Sequence, residues 1–179
     1  FSQKEDRMCS KNFLKETAIW TGRVILGSAC KRYSTKYQEG KQMPGIESLI
    51  RSEADGTISF GDYSLNTKSK LQDFEHAGDL YKIKTFYEIT KLERNGSFVY
   101  ESVPGTAVQH FAEGSDEVAF TVGGYRDSQI TVQMEADTEY EVFVDGSSIG
   151  HIKTNMSGKL AFSVSLNDGA VSQVKIVRQ

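Results

Sequence analysis

Cysteine is almost missing from this chain: Cys9 and Cys30 are the only two among its 179 residues. Two are too few to staple a small scaffold, and with no Cys-x-x-Cys pair they offer neither a zinc site nor a redox couple. A basic surplus is missing as well. The formal net charge is −3, which argues against a nucleic-acid partner, because such binders usually show an excess of lysine and arginine. The three histidines, His76, His110 and His151, form no His-x-His or His-x-x-x-His ligand pair. There is no Gly-x-Ser-x-Gly elbow, no P-loop and no dinucleotide fingerprint, and no low-complexity tract. What is present is apolar material, 38% of residues against 25% charged. A chain of this length can bury a working core from that without covalent help. One domain, or one domain with an appendage, is expected.

The charge is unevenly spread. Residues 1–42 hold nine lysines and arginines and four acids, a net of +5, while residues 43–179 hold 12 and 20, a net of −8. Both cysteines and the single tryptophan, Trp20, lie in the first segment, and all three histidines lie in the second. This break marks the clearest boundary in the chain: an extension over 1–42, then one domain over 43–179. In the extension Met8, Leu14, Ala18, Ile25 and Ala29 trace a helical stripe that Gly22, Arg23 and Gly27 interrupt, so it is expected to be helical or poorly structured. Gln38 to Gln42 can be encoded by a purine-rich string resembling a ribosome-binding site ahead of Met43. Translation from upstream of a true start at Met43 is therefore the first expectation for this segment. A cytoplasmic protein follows from it, since Met43-Pro44-Gly45-Ile46-Glu47 opens no apolar run and no membrane segment. Two other readings stand beside it. The extension is a genuine structured element, or Thr17 to Ala29 is an export signal ending at a lipid-modified Cys30, against which Arg23 in the middle of the run counts.

From Thr57 onward the text is β. Thr57 to Phe60 alternates polar and apolar residues. Leu80 to Thr90 places Tyr81, Ile83, Thr85, Tyr87 and Ile89 on one face and Lys82, Lys84 and Glu88 on the other, the period-two signature of a half-buried strand. Asn95-Gly96 before Ser97 to Val103 is the strongest short hairpin signal, because both residues accept positive φ. Pro104-Gly105 reads as a turn with proline and glycine at its centre. Further strands are expected at Val118 to Val122, Gln129 to Met134, Tyr140 to Val144, Ser148 to Thr154, Lys159 to Leu166 and Val171 to Val177. Gly123-Gly124, Asp145-Gly146 and Asn155 to Gly158 punctuate them. Tyr140, Val142 and Val144 point inward, and Glu139, Glu141 and Asp145 outward. Such spacing predicts an all-β, antiparallel β-sandwich, with a small β-barrel as the alternative.

Few constellations carry chemistry. Asp73, Glu75, His76 and Asp79 offer a metal or acid–base cluster, or simply a polar loop entering the strand at Leu80. His110 and His151 sit near strand ends and could meet His76 in space, although a lone strand histidine is more often a surface residue. Glu135, Asp137, Glu139 and Glu141 alternate, but their spacing is not that of a calcium loop, and a solvated acidic edge that discourages aggregation is the ordinary reading. No metal and no cofactor is expected. The aromatics are more suggestive, because sugars stack on aromatic faces of β-sandwiches. Phe86 and Phe143 fall on outward faces, and with Tyr87 and Tyr100 they are the candidate ligand-binding residues; packing under a loop or a neighbouring sheet is the plainer explanation for them.

Two stretches, Asp73-Phe74-Glu75 through Tyr100-Glu101-Ser102-Val103-Pro104-Gly105-Thr106-Ala107-Val108, and Tyr140-Glu141-Val142 through Lys153-Thr154-Asn155-Met156-Ser157-Gly158-Lys159, resemble a family of small Firmicutes proteins described as "endosialidase catalytic beta chain". The resemblance runs over roughly the whole body from Met43. It implies a bacterial protein and an accessory subunit of a glycan-acting system. It does not bring a sialidase activity with it. Such an enzyme needs an arginine cluster, a tyrosine nucleophile with a carboxylate partner, and Ser-x-Asp-x-Gly-x-Thr-Trp boxes. Ser52 to Phe60 departs from that spacing, and Arg51, Arg94, Arg126 and Arg178 form no such set in the sequence. Three functions remain in view: a non-catalytic structural, assembly or interaction module that pairs with itself or a partner protein; a carbohydrate-binding or accessory subunit; and an enzyme related to sialidases. Exposed aromatics in a hollow would favour the second, a flat apolar patch the first, and converging histidines and carboxylates the third.

Overall fold

A computed structural model describes residues 43–179, apart from the side chain of Asp168. All of them fall within one compact unit. The extension over 1–42, with its helical stripe, Trp20 and Cys30, lies outside the described residues.

Thirteen strands pack as two antiparallel sheets. The first hairpin is β1 (Ile50–Ser52) and β2 (Ile58–Phe60). A four-stranded meander follows, β3 (Ser69–His76), β4 (Asp79–Phe86), β5 (Ile89–Arg94) and β6 (Ser97–Val103). Then come β7 (Ala107–Glu113), β8 (Glu117–Gly123), β9 (Ser128–Gln133), β10 (Glu139–Val144), β11 (Ser147–Lys153), β12 (Lys159–Val164) and β13 (Val171–Arg178). The seven-stranded sheet runs β1-β2-β7-β8-β13-β10-β11, and the six-stranded sheet runs β12-β9-β6-β5-β4-β3. Each keeps two edge strands and neither closes, so the architecture is the expected sandwich and not the barrel.

The core follows from period two. Tyr81 and Ile83 of β4, Leu92 of β5, Val118, Phe120 and Val122 of β8, Ile130 and Val132 of β9, and Val174 and Ile176 of β13 are buried on alternate positions. Phe60, Tyr100, Phe111 and Phe120 meet at its centre with ring centroids 5.3–6.3 Å apart. Burying each such side chain contributes about 1.5–3 kcal/mol.

Several expectations need correction. Leu80 to Thr90 is not one strand. It breaks at Tyr87-Glu88 into β4 and β5, with Phe86 paired to Ile89. Neighbouring segments capture the turn: Tyr87 N donates to Leu65 O (3.0 Å), and Gly105 N donates to Tyr87 O (3.0 Å). Tyr87 is therefore not inward but 51% exposed. Asp73, Glu75 and His76 do not form a loop. They belong to the edge strand β3, which turns into β4 through Ala77 and Gly78, both at positive φ. Residues 107–113, unassigned above, form β7. Gly105 does not occupy a positive-φ turn position; it is glycine because a Cβ there would collide with the carbonyl oxygen of Phe86. His110 and His151 lie within β7 and β11 rather than at strand ends, His110 at a bulge with φ 52°.

Candidate functional site

The register of the seven-stranded sheet builds a hollow on its outer face. Ala119 of β8 stands opposite Lys175 of β13, which stands opposite Phe143 of β10. The neighbouring rows pair Thr121 with Gln173 and Val177 with Glu141. Ala119 carries only a methyl group, so the sheet surface dips there, while Phe143, Lys175 and His110 rise around it. The resulting cavity is about 630 Å³, and it is lined by Phe143, Thr121, Gln173, Lys175, Glu141 and Gln179 among others. The polar groups are held rather than loose. Glu141 accepts from Ser148 Oγ (2.7 Å) and from Gln179 Nε2 (3.3 Å). Lys175 pairs with Glu117 at 2.9 Å. Amides, a carboxylate, an ammonium and a hydroxyl beside one aromatic ring can recognise a polyhydroxylated ligand by hydrogen bonds and ring stacking.

The four candidate aromatics do not converge. Phe143 lies in this hollow, half-buried. Phe86 and Tyr87 are on the other sheet, with ring centroids 5.4 Å apart in an edge-to-face contact. Tyr87 donates to Glu88 at 2.9 Å, and that carboxylate raises the phenol's pKa above its ordinary value. Tyr100 has to be set aside as a ligand contact: it is fully buried in the core. Burial pushes its phenol pKa up, and its hydroxyl bonds Thr106 Oγ1 at 2.9 Å. The strand pattern alone hid this, because a bulge in the β5–β6 pairing leaves Val99 and Tyr100, adjacent in sequence, both buried. Thr121, Gln173 and Lys175 carry no site signal in the sequence, and Glu141 stands there only in the acidic run, since the sequence does not tell which strands become neighbours; outward polar positions on strands of regular alternation are the available signal.

The histidine question has a definite answer. His76 and His110 both reach the Asp55–Thr57 turn, whereas His151 sits on edge strand β11, 4.0 Å from Glu139. Asp55 accepts from Thr57 N and Oγ1 at 3.0 and 2.6 Å and lies 2.9 Å from His110 Nδ1. The Thr57 hydrogen bonds, and then His110, lower its pKa to about 2. His76 Nε2 lies 3.1 Å from Gly56 O, and its Nδ1 lies 2.7 Å from Ser52 Oγ. The latter bond ties β1 of one sheet to β3 of the other. Beside it Arg94 makes a two-pronged contact with Glu113 at 2.9 and 3.2 Å. These pairs tie the two sheets together, edge strand β1 to edge strand β3 in the first case and interior strand β5 to interior strand β7 in the second. Among the described residues, no group of three or more His, Cys, Asp or Glu is placed to hold a metal ion. No described helix is long and apolar enough to cross a membrane. The acidic run is taken up in pairs: Asp137 with Lys153 (2.7 Å), Glu135 with Arg178 (2.5 Å).

No protein-family model, curated protein or solved structure matches this chain.

Proposed function

We propose that the domain over residues 43–179 is a non-catalytic carbohydrate-binding module, and that its ligand is a neutral oligosaccharide lying across the outer face of the seven-stranded sheet. The observation that carries this reading is the hollow of about 630 Å³ in which Phe143 stands among Thr121, Gln173, Lys175, Glu141 and Gln179. A pyranose offers an apolar C–H face and a rim of hydroxyls. The ring of Phe143 suits the first, and amide, carboxylate and ammonium groups suit the second. The charges in the hollow include both signs, and Lys175 already holds Glu117, so the site favours a neutral ligand over a charged one. The resemblance to a family described as "endosialidase catalytic beta chain" supports a glycan as the class of ligand, while the choice of a neutral one rests on the charges in the hollow. An assembly module would have to use exposed apolar side chains such as Leu71, Leu80, Val103, Ile149 and Met156, which come from five separate segments.

The test is a glycan array followed by isothermal titration with the best neutral oligosaccharide. Phe143→Ala is expected to weaken binding about tenfold or more, equivalent to ~1.4 kcal/mol, with little change in melting temperature. An array on which no neutral glycan binds, or an affinity indifferent to Phe143→Ala, overturns the reading.

A further inference from the structure

A second cavity, of about 360 Å³, opens at one end of the sandwich, lined by Tyr63, Tyr87, Pro104, Gly105, Tyr125 and Arg126. Four separate connections meet there: β2 to β3 gives Tyr63, β4 to β5 gives Tyr87, β6 to β7 gives Pro104 and Gly105, and β8 to β9 gives Tyr125 and Arg126. Tyr87 and Tyr125 are half exposed, at 51% and 52%. The ring of Tyr63 supports that of Tyr125 edge-on at 4.7 Å, and its hydroxyl is fixed on Met43 O at 2.6 Å.

The floor is anchored from beneath. Thr106, next to Gly105, is gripped by Thr90 through two bonds, Thr90 Oγ1 to Thr106 O (2.7 Å) and Thr106 N to Thr90 Oγ1 (3.1 Å). Thr90 meets Thr85 at 2.8 Å, and Thr85 Oγ1 accepts from Asp62 N at 2.9 Å. Three of the four connections that line the cavity are thus joined through buried hydroxyls. This cavity is preformed, and no ligand has to order it.

The arginines supply the second observation. Arg51 holds Glu53, Arg94 holds Glu113, and Arg178 holds Glu135. Among the described residues, Arg126 is the one arginine with no carboxylate partner, and it stands exposed at the aromatic cavity.

We propose that this cavity binds an acidic sugar, a uronate unit of a polysaccharide. The sugar ring stacks on an exposed tyrosine, and its carboxylate sits in the guanidinium fork of Arg126. The planar fork matches a carboxylate in two parallel hydrogen bonds, and the tyrosine faces accept the C–H face of a pyranose. The proposal shares no residue with the hollow around Phe143 and needs no neutral glycan to bind there. A proline-rich peptide would use the tyrosines without the guanidinium.

The experiment is a ¹⁵N–¹H NMR titration of the full 179-residue chain with oligomers of galacturonic and glucuronic acid, with their methyl esters, and with a proline-rich peptide. One of the acids is expected to give saturable shifts at the amides of Tyr87, Gly105, Tyr125 and Arg126. Methyl esterification should weaken binding at least tenfold. Arg126→Gln should abolish the response, Arg126→Lys should retain part of it, and Phe143→Ala should leave it intact. The proposal is overturned if neither acid gives saturable shifts there, if esters bind as well as acids, if the response survives Arg126→Gln, or if only the peptide binds. Loss of neutral-glycan binding with this response intact would count against the Phe143 hollow alone.

Discussion

The hydroxyl-bearing residues Thr85, Thr90, Tyr100, Ser102 and Thr106 are fully buried and lie together. A hydroxyl in an apolar interior costs free energy unless it is bonded, and here each is. Tyr100 and Ser102 both meet Thr106 Oγ1, at 2.9 and 2.7 Å, while Thr90 bridges Thr106 to Thr85. Among the described residues, no buried side-chain polar atom lacks a partner. Thr90 is the hub, because it serves a backbone carbonyl, a backbone N–H and a second hydroxyl at once. Thr90→Val keeps the shape and removes the oxygen. It strands buried groups that water cannot reach, so it should cost about 1–3 kcal/mol. A urea titration measures this as a lower midpoint at unchanged slope, and a midpoint equal to the parent's would mean that water or a shifted neighbour replaces the bond. The same network explains why the sequence misdirected the assignment of Tyr100. A tyrosine with a buried polar end looks, in sequence, like any aromatic on a strand, and the threonine partner that satisfies it becomes visible only when the β6–β7 bend folds back.

At the scale of elements, the turns decide the meander. Asn95 and Gly96 have φ of 50° and 80°, and Arg94 pairs with Ser97, so the two residues form the tight primed turn their types suggest. Gly96→Val puts a branched side chain at positive φ, which should cost on the order of 1–3 kcal/mol. Gly114 lies in the β7–β8 connection outside the positive-φ region, where a Cβ would approach Glu117 O at 3.3 Å. Gly114→Val should therefore cost less. Equal urea midpoints for Gly96→Val and the parent would sink the hairpin assignment. This comparison also shows which elements the sequence could disclose. Asn95-Gly96 and Asp145-Gly146 advertise their φ, and both hairpins were legible. The turn at Tyr87-Glu88 uses no positive φ. Its backbone groups are satisfied by Leu65 and Gly105, distant residues that no local pattern announces. β3 escaped notice for a related reason. As an edge strand it is largely exposed, with a bulge between Leu71 and Phe74, so it lacks the alternation that burial on one face imposes. Phe143 was legible as outward-facing; the hollow around it was not, because its walls depend on which strands become neighbours.

At the scale of the whole molecule, the last strand in sequence is not last in space. β13 lies between β8 and β10 in the interior of the seven-stranded sheet. Val174 pairs with Phe120 on one side and Val144 on the other. Without β13, the facing polar groups of β8 and β10 lose their partners, and the buried Ser172, Val174 and Ile176 leave a gap through the core. Each lost aliphatic side chain removes about 1.5–3 kcal/mol, before the hydrogen bonds are counted, against a total stability on the order of 5–15 kcal/mol for a domain. The core residues run from Ile50 to Ile176, so the fold has its own interior within residues 43–179. Two truncations should then behave oppositely. A chain ending at Ala170 is expected to show no cooperative thermal transition by circular dichroism. A 43–179 fragment is expected to melt cooperatively. A cooperative melt of the first would mean that β8 and β10 can close on each other. A non-cooperative melt of the second, rescued by restoring residues 1–42, would place part of the folding free energy in the extension. If both expectations hold, the sandwich cannot assemble until β13 is available, because the two halves of its larger sheet are joined through that strand.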